Sequence, residues 1–154
     1  MTEPLLPLVF SCSGCSNVAQ LANRFAVRLD RAGLAEMSCI AGIGGDVPSI
    51  VRKALQAAEE GRPVLALDGC VLECTRNCLL QSGLRPTVHV RLHEWGVRKA
   101  YHTDVPPEQA EPLYERLVAQ VSSMRTTAGA APAASPGCGS AADRPADRRC
   151  AAGA

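Results

Sequence analysis

Short runs rich in apolar residues alternate with segments of helical periodicity along most of this chain. Residues 6–11, 36–40 and 63–67 have the length and composition typical of strands that are buried on both faces. Residues 87–92 alternate valine and leucine with histidine and arginine, which predicts a fourth strand nearer the edge of a sheet. The hydrophobic pattern therefore predicts four strands.

The segments between these runs carry apolar residues at helical spacing. The first helix is expected to begin after Ser16, a good N-cap, and to stop before Gly33. A second is expected to be capped by Asp46 and to run to Gly61. Residues 72–82 predict a shorter helix, and Pro106-Pro107 opens a last one.

Strands that alternate with helices predict an α/β fold with helices on both faces of a sheet. Right-handed crossovers and four strands favour a small, open, mostly parallel sheet in the order 2-1-3-4. The switch point would lie between the first and third strands. Open sheets of this kind bind ligands there, outside the carboxyl ends of the strands.

Composition narrows the functional classes. Apolar residues make up 47% of the 154 residues, but aromatic residues only 3%, so the core must be aliphatic. A net charge of +1 with no basic patch argues against nucleic-acid binding. No apolar stretch approaches the roughly 20 residues of a membrane span, and the N-terminus does not resemble a signal peptide. We expect a cytoplasmic domain at residues 1–125 and a disordered Ala/Pro/Gly-rich tail at 126–154.

Six of the eight cysteines lie within the first 78 residues. Cys12, Cys39 and Cys70 fall at or beside the ends of the first three predicted strands, and Cys74 follows Cys70 by one helical turn. Since parallel strands end at the same edge of a sheet, we expect these thiols to converge. In a reducing compartment such a cluster favours a metal, an iron–sulfur cluster or thiol redox chemistry over structural disulfides.

Three further residues could take part in this site. Cys15 forms a C-x2-C pair with Cys12 at a helix N-terminus, a spacing used by both metal and redox sites. Cys78 lies deeper and is expected to be a small buried hydrophobe. Asp68 is expected to cap the next helix, and Gly69 to allow a turn or a close backbone approach.

Other features carry less weight. The glycines of the GIGG segment at 42–45 could bind an anion through backbone N–H groups, but they match no nucleotide motif. His89, His93 and His102 are expected to be solvated or packed, away from the cysteines. Cys138 and Cys150 fall in the tail.

Several motifs together resemble the DGC-domain proteins, a family described as zinc-binding on the strength of its cysteines. The motifs are SCSG-x-SNVAQLAN, CIAGIGG, LDGC-x3-C and a later Gly-Val-Arg-Lys, in order over residues 7–100. The resemblance implies zinc as cofactor, with Cys12, Cys39, Cys70 and Cys74 as its ligands. Cys15 and Cys78 are not part of the family pattern.

Three functions remain open at this point. Four soft thiolates suit zinc, which is the first hypothesis. The second is a thiol oxidoreductase or sulfur carrier that uses Cys12 with Cys15, or Cys70 with Cys74. The third is an electron carrier with an iron–sulfur cluster, which also needs four thiolates. The pattern does not decide whether the protein is an enzyme, and it indicates no protein partner.

Overall fold

The computed structural model describes residues 5–127, and its strands and helices alternate along the chain. The strands are β1 (Leu8–Ser11), β2 (Glu36–Met37), β3 (Val64–Asp68) and β4 (Val88–Arg91). The helices are α1 (Asn17–Arg31), α2 (Ile40–Gly44), α3 (Pro48–Glu59), α4 (Cys74–Gln81) and α5 (Pro107–Thr127), with a 3₁₀ turn at Leu92–Trp95. No helix among the residues described is long and apolar enough to cross a membrane.

The strands form one sheet in the order β2-β1-β3-β4, and every pairing is parallel, which confirms the predicted fold. β1 pairs with β3 as far as its last residue, Ser11, which lies opposite Leu67. β4 continues the same register, with Arg91 opposite Asp68. The carboxyl ends of these strands therefore share one edge of the sheet, which we call the carboxyl edge.

Side chains alternate between the two faces of the sheet and fill two separate cores. Val9 lies on the face that packs against α1 and α5, where Phe25 and Leu117 are fully buried. Leu8 and Phe10 lie on the opposite face, against α2, α3 and α4. Burial of each large side chain stabilises the fold by roughly 1.5–3 kcal/mol, so both layers of helices are held firmly to the sheet.

The second strand is shorter than predicted. Residues 36–40 were expected to be extended, but β2 ends at Met37 and Cys39 becomes the N-cap of the five-residue helix α2. Gly42 in α2 lies close to α3, because a Cβ at that position would lie 2.3 Å from Cδ1 of Ile50. The glycines thus let α2 pack closely on its neighbours.

Two predicted helix starts are also wrong. Val47, not Asp46, is the N-cap of α3, and Asp46 has a positive φ of 53°. The third predicted helix begins at Cys74, not at residue 72, after Glu73 with a φ of 49°.

The α5 helix runs to Thr127, two residues past the predicted domain boundary. The rest of the predicted tail, with Cys138 and Cys150, lies outside the described residues.

Candidate functional site

Cys12 follows β1 at the carboxyl edge and is 8% exposed. Its N–H donates to the carbonyl oxygen of Leu67, and its sulfur accepts the N–H of Gly69 at 3.2 Å. Burial raises the pKa of the Cys12 thiol to about 11. The Gly69 hydrogen bond opposes that rise, while the charges of Asp68, Cys70 and Cys74 add to it. Asp68 and Cys70 flank Gly69, the residue whose N–H donates to the Cys12 sulfur.

Gly69, which follows β3, lies against the backbone of the first turn of α1. A Cβ at this position would lie 2.5 Å from both the carbonyl carbon and the carbonyl oxygen of Val18, and 2.8 Å from the nitrogen of Ala19. These are backbone atoms, which cannot move aside as a flexible side chain can. The φ of Gly69 is not positive, so close approach, and not turn conformation, requires glycine here.

Cys70 and Cys74 stand on either side of the turn that leads into α4. Cys70 is half-buried and its carbonyl oxygen accepts the N–H of Glu73, while Cys74 is the first residue of the helix. Burial raises the pKa of Cys74, and the charges of Asp68, Cys70 and Cys78 raise it further. Cys12 accepts the N–H of the residue before Cys70, and Cys74 begins the helix that follows. We call Cys12, Cys70 and Cys74 the cysteine cluster.

Cys39 lies one strand away from the cysteine cluster. Its exposed thiol follows β2, whose Met37 pairs with Val9 of β1, so its place in the register corresponds to Ser11. Among residues 5–127, no three histidine, cysteine, aspartate or glutamate side chains stand together as a group able to hold a metal ion. The thiols share an edge of the sheet without forming a closed ligand set.

The accessory cysteines occupy different environments. Cys15 is exposed and comes just before Ser16, whose hydroxyl caps α1. Cys78 is half-buried and packs in the core beneath α2, with its sulfur 3.1 Å from the place that a Cβ on Gly44 would take. Gly44 therefore leaves room for Cys78, and the GIGG glycines serve packing at these positions.

Asp68 is only 1% exposed, and it lies beside the cysteine cluster. It accepts the N–H groups of Thr75 and Arg76 at 2.9 and 3.2 Å, so it satisfies two free donors at the start of α4. Its Oδ2 also lies 2.9 Å from Nε2 of His89 on β4. The capping role matches the sequence prediction, whereas the expectation that His89 stands apart from the cysteine edge is wrong.

An ion-pair cluster joins α4 to β4 at the same edge. The carboxylate of Glu73 accepts from Arg76 at 3.1 Å and from Arg91 at 3.0 Å. Arg91 also pairs with Glu94 at 2.8 Å. The Arg91 guanidinium holds the pKa of Glu73 below its usual range. These two arginines are thus engaged with carboxylates.

Lys99 places a positive charge beside the cysteine cluster. Its Nζ lies 3.8 Å from the sulfur of Cys70, and the hydrogen bond with Tyr101 and the charge on Cys70 both raise the pKa of Lys99. Asn17 holds this part of the chain: its Nδ2 donates to the carbonyl oxygen of Arg98 at 3.0 Å, and its Oδ1 accepts the N–H of Ala100 at 2.7 Å. We call residues 98–101 the Lys99 strap.

Sequence reasoning missed His89, Lys99 and Asn17 as members of this site. A signal for two of them was present, because SNVAQLAN and Gly-Val-Arg-Lys both contributed to the family resemblance. The structure explains why these motifs occur together, since Asn17 of the first binds the backbone of the second. For His89, the only signal was its place in a strand beside the one that ends at Asp68.

The family comparison agrees with this architecture. A model of the DGC domain matches residues 8–117, from the start of β1 into α5. The chain belongs to the DGC-domain family. A protein of Pseudomonas aeruginosa strain PAO1 named "Anaerobic and virulence modulator AnvM" is 58% identical over 112 residues, which cover 73% of this chain and 82% of AnvM. No solved structure matches the chain.

Proposed function

We propose that this DGC-domain protein binds zinc through Cys12, Cys39, Cys70 and Cys74. The observation that carries the proposal is the hydrogen bond from the Gly69 N–H to the sulfur of Cys12, which places Cys12 beside the turn that bears Cys70 and leads to Cys74. Thiolates are the ligands that zinc prefers, and the Gly69 N–H already donates to one of the sulfurs, as groups around metal-bound thiolates do. The family resemblance supports the same four residues.

The protonation of the thiols bears on this proposal. Zinc binds thiolates, and the raised pKa values of Cys12 and Cys74 mean that these groups are protonated at neutral pH without metal. Zinc binding would therefore release protons and weaken as the pH falls. Closing the ligand set requires side-chain rotation, for which the exposed thiols of Cys39 and Cys74 have the most room.

Metal analysis of protein purified without air tests the proposal. We expect about one zinc per chain, Zn–S distances of about 2.3 Å by X-ray absorption, and no visible charge-transfer bands. Cys70→Ser and Cys39→Ser should each lower the zinc content strongly, because a serine hydroxyl is a poor ligand for a soft metal. Iron with inorganic sulfide and a brown colour would instead support the iron–sulfur alternative.

A second candidate is thiol chemistry at Cys70, as a thiol oxidoreductase or sulfur carrier with Cys74. The specific observation is the Lys99 ammonium 3.8 Å from the Cys70 sulfur, since a nearby cation favours a reactive thiolate. Cys12 and Cys15 offer the other candidate pair. Turnover with a small disulfide substrate by metal-free protein would favour this function over zinc binding.

The relative and the free thiols suggest a biological setting. AnvM is named as an anaerobic and virulence modulator, and we infer a regulatory use for the site in this chain as well. Either a thiolate-bound metal or a reactive thiol can respond to oxidants. We infer a reducing, cytoplasmic compartment, because both a thiolate-bound metal and a reactive thiol require cysteines that are not held in disulfides.

A further inference from the structure

The Lys99 strap is fixed to the start of α1 although it lies between the regular elements. Asn17, which is 7% exposed, pairs with the strap through its side chain, and its own N–H donates to the carbonyl oxygen of Ala100 at 3.0 Å. Ser16 and Tyr101 form an isolated antiparallel bridge beside these bonds. Hydrogen bonds on both sides of Lys99 thus set the position of its backbone.

The side chain of Lys99 is directed by two contacts. Its Nζ lies 3.8 Å from the Cys70 sulfur and 5.4 Å from the centre of the Tyr101 ring, within the range of a cation–π interaction. Arg76 and Arg91 lie at the same edge, but each donates to Glu73. Among residues 5–127, Lys99 is therefore the cation whose ammonium contacts a sulfur of the cysteine cluster.

A site of this composition gathers negative charge. Asp68 is buried beside the thiols, and four thiolates around one Zn²⁺ would leave two negative charges in excess. The Asp68 carboxylate accepts a hydrogen bond at the start of α4 and lies against His89, and its negative charge adds to that of the thiolates. A cation held close to Cys70 would lower the energy of both the free thiolate and the metal-bound group.

We propose that Lys99 is a positioning residue of the cysteine cluster. Its ammonium offsets the negative charge of a thiolate at Cys70 and strengthens metal binding there. Its action on zinc rests on the proposed function, whereas its action on the electrostatic potential at Cys70 does not. At about 4 Å in water, one unit charge changes an equilibrium or rate for another by roughly fivefold. An effect of this size is expected for each readout below.

The first experiment measures the electrostatic potential at Cys70 in metal-free protein. Iodoacetate is negatively charged and iodoacetamide is neutral, so the ratio of their alkylation rates reports the local charge. Cleavage after Glu73 separates Cys70 from Cys74 and lets mass spectrometry follow Cys70 alone. Lys99→Met should lower the ratio about fivefold, Lys99→Arg should keep it, and Arg98→Met should match the wild type.

Arg98→Met is a matched control because its exposed side chain lies one position away on the same strap. An unchanged ratio in Lys99→Met would overturn the proposal. An equal fall in Arg98→Met would overturn it as well, because the effect would then be one of general surface charge. Circular dichroism and thermal unfolding should be unchanged in all three variants, since both side chains are exposed.

The second experiment measures zinc affinity by competition with a chromophoric chelator. Lys99→Met should weaken binding about fivefold at low salt, and Lys99→Arg should restore it. Undiminished affinity in Lys99→Met would refute the metal part of the proposal. If the wild-type protein binds no zinc, the proposed function fails, while the alkylation ratio still decides whether Lys99 acts on Cys70.

Discussion

The main-chain N–H of Gly69 donates to the sulfur of Cys12 across 3.2 Å, and so ties the end of β3 to the end of β1. The bond is possible because Gly69 approaches the first turn of α1 more closely than any residue with a Cβ could. The carbonyl oxygen of Gly69 accepts the N–H of His93 in turn. One glycine thus organises the centre of the Asp-Gly-Cys motif.

Gly69→Ala should therefore destabilise the protein. The added Cβ would meet backbone atoms of Val18 and Ala19, and the forced separation should lower the free energy of unfolding by about 3 kcal/mol. Chemical denaturation measures this. Gly14→Ala is the control, because a Cβ there would meet only the Cβ of Ala19 at an ordinary 3.8 Å. Equal stability of the two variants would contradict the packing argument.

Removal of the His89 side chain should expose the dependence of Asp68 on its partners. His89→Ala leaves the buried carboxylate with two backbone donors and no side-chain partner, which should lower the free energy of unfolding by roughly 1–3 kcal/mol. His89→Gln can still donate and should recover part of the loss. His102→Asn, at an exposed position with a positive φ that asparagine tolerates, is the control. A loss as large in His102→Asn would count against a specific role for His89.

The pKa of Cys12 predicts a fall in stability at alkaline pH in metal-free protein. The folded pKa is about 11 and the ordinary value is 9.0, so the unfolded chain loses this proton first. The contribution is fully present below pH 9 and is lost as the pH rises towards 11, by roughly 2–3 kcal/mol. The measurement is the free energy of unfolding against pH for the wild type and Cys12→Ala. The two curves should converge above pH 9, and parallel curves would show that Cys12 is not shifted.

The fold was largely predictable because most of its strands and helices have a local signal. The order β2-β1-β3-β4 follows from the alternation of strands with helices, and Ser16 caps α1 as expected, with its hydroxyl 3.4 Å from the N–H of Ala19. The α2 helix was missed because its five residues are too few to show a helical periodicity. Its close contact with α3, where Gly42 lies against Ile50, is also not visible in the sequence pattern.

The site was predictable only in part, for a related reason. The positions of Cys12, Cys70 and Cys74 follow from strand ends, which sequence patterns can locate. His89 reaches Asp68 across 21 residues of sequence, and Lys99 reaches Cys70 across 29. Such contacts depend on strand register and on the path of the Lys99 strap. Sequence reasoning therefore found the thiols and Asp68, and it missed His89 and Lys99.

Truncation should show where the domain ends. A chain that stops at Thr127 should keep the stability and metal content of the full chain, because the sequence beyond it carries no periodic apolar face. A chain that stops at Gln120 loses the buried side chains of Val121 and Met124 and should be less stable by roughly 3–6 kcal/mol. Thermal unfolding and metal analysis measure both variants. A large loss in the longer variant would mean that the tail packs on the domain or supplies a ligand.

Cys15 separates metal binding from dithiol chemistry. In a site made by Cys12, Cys39, Cys70 and Cys74, the exposed Cys15 thiol is a bystander, and Cys15→Ser should keep the full zinc content that Cys70→Ser loses. In a dithiol mechanism, Cys15 resolves the disulfide that Cys12 forms with a substrate, so Cys15→Ser should trap that mixed disulfide and abolish turnover. We expect the bystander result, measured as zinc per chain and as covalent adduct mass after exposure to a small disulfide. Loss of zinc from Cys15→Ser would instead make Cys15 a ligand in place of, or in addition to, one of the four.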